Sequence, residues 1–165
     1  MGSAAAPARY VVAETARRRE RDAISVTIDD LRIDALFDAA KKARANAYAP
    51  YSGFAVGAAV LSESGAVFAG CNVENAAFPV GFCAEAGAVA AMVAAGGKRV
   101  AAALVLGGGE TLCMPCGACR QRLREFGDEA TPVIVAGQQG VRRRFSLGEL
   151  LPESFGPDAL GRADG

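Results

Sequence analysis

Two short runs of the chain carry residue types that bind a metal and move protons: Cys83-Ala84-Glu85 and Pro115-Cys116-Gly117-Ala118-Cys119. Each opens a stretch of helical character. Unpaired backbone amides and the positive end of the helix dipole lower a thiol's pKa at such a position. Cys116 and Cys119 are three apart, so both project from one face of a first helical turn. That pair can bind one Zn²⁺ at about 2.3 Å per sulfur, and Cys83 supplies a third thiolate from the neighbouring helix. Three protein ligands leave the fourth tetrahedral position open, as catalytic zinc requires. Glu85, two residues past a ligand, lies close to such a metal without having to bind it. A carboxylate there can take a proton from water and return it to a substrate.

Other chemistry is narrowed by what the chain contains. It has no histidine, so Ser-His, Cys-His and His-ligated mechanisms are excluded. Five cysteines, an odd number, argue against a disulfide framework. Taken alone, Cys-x-x-Cys is also a structural zinc half-site or a redox pair. Cys71, Cys83, Cys116 and Cys119 could form a closed Cys₄ site, but Glu85 would then have no task. Cys71 reads instead as a small hydrophobe in a strand. Cys113 is also three residues from Cys116 but precedes Pro115 in extended chain, and is set aside.

The elements that must place these residues fit one domain of 165 residues. A helix begins near Asp29 with Leu31, Leu36, Phe37, Ala40 and Ala43 as its apolar stripe, and stops before Pro50. Strands over 55–61 and 66–73 flank the turn Glu63-Ser64-Gly65. A helix over 83–95 ends at Gly96-Gly97, and the apolar run 100–106 reads as a strand buried on both faces. A helix over 116–126 follows, then strands over 132–136 and 141–147 around a Gln139-Gly140 turn. This order predicts a three-layer α/β/α sandwich with a mixed sheet.

Residues 1–28 read as a flexible N-terminal appendage, and 29–165 as the catalytic domain. The apolar start is too short for a secretory signal, and the cluster Arg17, Arg18, Arg19 and Arg21 lies on its wrong side. Glu14, Glu20 and Asp22 argue against a mitochondrial leader. Glycine and charge interrupt every apolar run, so no membrane span is expected and the chain reads as cytoplasmic. Formal net charge is zero, without the basic excess of a protein that tracks nucleic acid.

The chain resembles the homotetrameric zinc-dependent cytidine deaminases, over about 29–160. The resemblance rests on Ala49-Pro50-Tyr51-Ser52-Gly53-Phe54-Ala55-Val56-Gly57-Ala58-Ala59, then Cys71-Asn72-Val73-Glu74-Asn75, then Cys83-Ala84-Glu85. It continues through 115–121 and 149–157, which ends in Ser154-Phe155-Gly156-Pro157. A Cys-ligated zinc with a non-ligand Glu and a P-C-x-x-C signature marks zinc deaminases in general.

The resemblance implies hydrolytic deamination of free cytidine or deoxycytidine in pyrimidine salvage, with one Zn²⁺ per chain. Phe54 would stack on the pyrimidine, Asn72 and Glu74 would bond the ribose hydroxyl, and the backbone of Ala84 would contact the base. Phe155 would reach a neighbouring subunit's site in a homotetramer. A carboxylate such as Glu74 accepts from a free 3′-hydroxyl but repels a 3′-phosphate, which favours a nucleoside over nucleic acid. One departure is Ala86, where the family commonly has an Arg that offsets thiolate charge. Two other readings remain open: a deaminase of a related cytosine nucleoside, such as an antibiotic, and a non-catalytic zinc-stabilised module.

Overall fold

The computed structural model describes residues 28–161, so the arginine cluster and nearly all of the expected appendage lie outside the described residues. The first helix, α1 (Asp30–Arg44), is capped by Asp29, whose carboxylate accepts from the Arg32 amide at 2.8 Å. Its buried stripe is Ile33, Leu36 and Ala40, with Phe37 half-buried at the margin. Strands β1 (Gly57–Ser62) and β2 (Val67–Cys71) form the expected antiparallel hairpin. Helix α2 (Ala84–Ala94), strand β3 (Val100–Leu106), helix α3 (Gly117–Phe126) and strands β4 (Pro132–Gly137) and β5 (Gly140–Ser146) complete the main layers.

The sheet order is β2-β1-β3-β4-β5, with β3 and β4 parallel and every other pair antiparallel. Every residue of β1 is buried, so its two side-chain rows both face protein. Ala59 and Leu61 pack with Leu104, Ile134 and the α1 stripe on one face. Ala58 and Val60 pack with Val133, Ala88 and Met92 of α2 and Leu123 of α3 on the other. The period of two along the strand therefore sorts one sequence into two cores. Each fully buried leucine among them contributes about 1.5–3 kcal/mol. This is the three-layer α/β/α sandwich with a mixed sheet.

Several boundaries differ from the sequence reading. Both site helices begin one residue later than expected, because Cys83 (ψ 153°) and Cys116 (ψ 167°) are extended N-caps. Strand β1 begins at Gly57, since Ala55 and Val56 are bonded to side chains outside the ladder. The β4–β5 turn is Gln138-Gln139; Gly140, at φ 131°, already pairs with Gly137. Strand β5 stops at Ser146 because Ser146 and Glu149 form a reciprocal capping box that starts the short helix α4 (Leu147–Leu150).

Candidate active site

Helix α2 lies nearly backbone to backbone on β2. A Cβ built on Gly70 would stand 2.5 Å from the Ala88 amide and 2.6 Å from the Ala84 carbonyl, so only glycine permits this approach. It seats the first turn of α2 against the sheet, with Ala84 at 1% exposure and Glu85 at 5%. The N-terminus of α3 meets it there. The Sγ atoms of Cys83, Cys116 and Cys119 all lie within 4.8 Å of one another. Three soft thiolate donors so grouped fit one Zn²⁺. Two of the three cysteines are N-caps and the third is in a first turn, so the partial positive ends of both helices face the cluster.

Crowding shows in the acidities of the thiols. Burial pushes Cys119 well above the ordinary thiol range, with Glu85 and Cys83 adding to the rise. Burial also raises Cys83, with Cys116 and Glu85 adding to it, although a bond to the Cys119 thiol opposes this. For Cys116 burial again acts upward, but the Cys119 amide and the Cys119 and Cys83 thiols outweigh it and lower the pKa. A dication is what would ionise all three. The buried Glu85 carboxyl sits at the edge of the cluster, close enough for its charge to raise both Cys119 and Cys83.

Cys71 and Cys113 stand outside this group of three. Cys113 packs on Gly107, and burial raises its pKa, with Glu85 adding and Arg44 opposing. Ala86 is buried at 5% exposure, leaving no cation at that position. Arg120 directly follows Cys119: its Nε donates to the Pro115 carbonyl and one terminal nitrogen to Leu150, both at 2.8 Å.

A second group of expected residues is assembled around the loop before β1. Asn72 holds it with both side-chain atoms, Oδ1 accepting from the Val56 amide at 2.8 Å and Nδ2 donating to Phe54 at 2.9 Å. Glu74 Oε2 accepts from the Tyr51 and Ser52 amides at 2.9 and 3.2 Å, and Oε1 accepts from the Ser52 hydroxyl. The Ser52 bond, then the Tyr51 amide, hold the Glu74 pKa below its ordinary value. Phe54 stays 48% exposed. Tyr51, Ser52, Glu74, Asn75, Phe78 and Gly81 line an open cleft of about 410 Å³. Val73 and Phe82 exchange backbone bonds at 2.9 and 2.8 Å, which joins the Asn72–Glu74 segment to the residue preceding Cys83.

Phe155 is on neither group. It is 63% exposed, on a C-terminal segment tied to α3. Gln121 donates to the Phe155 carbonyl at 2.8 Å, and Arg124 donates to Ser154 Oγ at 3.0 Å and pairs with Asp158 at 2.5 Å. The Arg124 side chain is only 11% exposed, and a Cβ on Gly156 would meet its guanidinium at 2.4 Å. The sequence reading gave Gln121 and Arg124 no role. Their signal is a run of polar residues, Arg120-Gln121 and Arg124, one turn apart on a helix whose start carries two of the clustered cysteines.

Residues 32–135 match the family model described as the cytidine and deoxycytidylate deaminase zinc-binding region. The chain is 46% identical over 123 residues to a cytidine deaminase of Mycobacterium tuberculosis, covering 74% of this chain and 89% of that one. A cytidine deaminase of Sporosarcina psychrophila is 39% identical over 131 residues, covering 79% and 96%. The crystal structure of cytidine deaminase from Burkholderia pseudomallei superposes with a TM-score of 0.70 at 47% identity, covering 74% of this chain and 98% of that chain.

Proposed function

Because the chain belongs to the zinc-binding cytidine and deoxycytidylate deaminase family, we propose that it deaminates the free nucleoside with Cys83, Cys116 and Cys119 on the metal and Glu85 moving the proton. The chain is a zinc-dependent cytidine deaminase, and its overall reaction consumes cytidine and water and yields uridine and ammonia. The observation that carries the assignment of residues is the cluster of three thiols with a buried carboxyl at its edge.

When bound, zinc supplies the Lewis acidity that lets water act as a nucleophile near neutral pH. Attack at C4 of the pyrimidine sacrifices ring aromaticity, and protonation of N3 offsets that loss. Glu85 takes the proton from the attacking water, gives it to N3, and carries a proton to the departing amine. Three thiolates on a dication leave one net negative charge, and with Ala86 in place no arginine adjoins Glu85. The amide-rich ends of α2 and α3, with Arg120 on the Pro115 carbonyl, offset that charge.

Phe54 stacks on the base and the main chain of Ala84 contacts it, while Asn72 and Glu74 take the sugar. The free nucleoside is favoured because Glu74 is held ionised and repels a 3′-phosphate, and because formal net charge is zero. No helix among the described residues is long and apolar enough to cross a membrane. We place the protein in the cytoplasm, in pyrimidine salvage, which suits five cysteines that are all unpaired.

The purified protein should release one ammonia per cytidine consumed, with loss of the cytosine absorbance, and should act on deoxycytidine too. Cytosine-containing oligonucleotides should be inert. Zinc binding without ammonia release would make this a structural zinc module and overturn the reading.

We further place the chain in a homotetramer whose sites are completed across subunits by Phe155. Tyr48, Tyr51, Phe78, Val80 and Phe82 are 44–77% exposed around the cleft, an apolar surface of the kind that associates. The Phe155 segment is anchored on α3 by Gln121 and Arg124, with its ring outward. Glu85→Ala and Phe155→Ala chains should each be weak alone. Co-refolded, they should form mixed sites with an intact Glu85 and an intact Phe155, and exceed the sum of the separate preparations. A mixture that never exceeds that sum, although mixed oligomers form, would return Phe155 to its own chain.

A further inference from the structure

Glu74 lies at the edge of an open cleft, and the final torsion of a glutamate side chain is intrinsically broad. To receive a ligand hydroxyl in one place, both of its oxygens must be fixed. The Tyr51 and Ser52 amides fix Oε2, at 2.9 and 3.2 Å. Only the Ser52 hydroxyl, among the bonds to the described residues, reaches Oε1. A carboxylate offers about four acceptor positions. Three are filled here by the chain, two on Oε2 and one on Oε1, so the remaining position is on Oε1.

The same hydroxyl oxygen accepts from the Phe54 amide at 3.0 Å. One side chain therefore joins the carboxylate to the backbone of the aromatic residue at the base end of the site. The Ser52 bond is also the first cause of the lowered Glu74 pKa.

We infer that Ser52 is a positioning residue for sugar recognition, its hydroxyl holding Glu74 Oε1 in place for the 3′-hydroxyl of the nucleoside. The inference rests on the proposed role of Glu74 and deepens it. Ser52 touches the carboxylate and not the reacting atoms, so its effect depends on the substrate having the hydroxyl that Glu74 receives. A local loop brace would act through Phe54 instead, and would affect every cytosine nucleoside alike.

The test measures kcat and KM of wild type, Ser52→Ala and Ser52→Thr with cytidine and with 3′-deoxycytidine, alongside zinc content and Tm. Wild type should prefer cytidine by about tenfold or more in kcat/KM, as for a hydrogen bond to a charged group. Ser52→Ala should lose roughly tenfold on cytidine and stay within about twofold on 3′-deoxycytidine. Ser52→Thr, which keeps the hydroxyl, should retain the wild-type preference. An equal fall on both nucleosides would assign Ser52 to the loop and overturn the inference while leaving the Glu74 reading intact. An undiminished rate on cytidine would also overturn it. A wild-type enzyme that does not distinguish the two nucleosides would instead overturn the Glu74 reading itself.

Discussion

Glu85→Gln should keep about one zinc per chain and lose roughly 10²- to 10⁴-fold in turnover of cytidine, the usual contribution of a positioned general acid–base. Glutamine preserves the shape of the side chain in a place where shape matters. Glu85 is 5% exposed, in the first turn of a helix packed directly on β2. The amide fills the same buried volume beside the thiols, so the cluster keeps its geometry. What it cannot do is accept a proton from water and release it to N3. The loss should therefore fall on kcat more than on KM, because the group acts while charge develops and not during binding. Steady-state kinetics with metal analysis on the same preparation separates the two roles. Near-normal turnover would mean that another group moves the proton; zinc loss would mean that Glu85 is part of the metal's own cage.

The layers of this fold were legible because its hydrophobic pattern is local. The run Val100–Leu106 stands between Lys98-Arg99 and Gly107 with no polar interruption, and it is the central strand with the same limits. The C-terminal end of α2 was marked by Gly96-Gly97, whose amides bond Val93 and Met92 at 2.9 and 3.0 Å in a Schellman arrangement. Errors arose where a side chain overrides periodicity. Ser146-Leu147-Gly148-Glu149 is a capping-box sequence, yet Leu147 continues the alternation of β5 and was read as strand. Likewise Cys83 and Cys116 look helical by position, but an N-cap has extended backbone angles.

The site divides in the same way. Cys116 and Cys119 are neighbours in sequence, and their spacing alone suggests a metal. That Cys83 joins them depends on two helices meeting end to end, which the glycine at position 70 allows and no spacing reveals. Glu74 and Ser52 are 22 residues apart, and Arg124 and Ser154 are 30 apart. Their bonds follow from how loops fold back on β2 and α3, and a list of residue types does not contain that. Asn72 shows a finer limit. The resemblance assigned it to the sugar, whereas in this structure its amide group bonds the backbone at Phe54 and Val56. Any sugar contact it makes must therefore be shared with that task.

Replacing Cys83, Cys116 or Cys119 by Ser should remove tight zinc binding and activity together, while Cys71→Ser and Cys113→Ser keep about one zinc per chain. Sulfurs bound at about 2.3 Å to a tetrahedral metal lie about 3.8 Å apart, so three atoms already within 4.8 Å need only a small contraction. A hydroxyl in place of one thiol is a harder and far less acidic donor, and two remaining thiolates hold zinc weakly. Cys113 is the discriminating control because its spacing from Cys116 is the same as that of Cys119. Its thiol is turned onto Gly107, and burial raises its pKa with no partner thiol in contact. Cys119 is fully buried, so its variant could fail through packing alone. Cys116 is exposed and spares the core, which makes Cys116→Ser the variant that decides. Metal analysis after dialysis against a weak chelator, with circular dichroism to verify the fold, gives the answer. Zinc lost from Cys113→Ser, or kept by a folded Cys116→Ser, would move the metal to a different set of ligands.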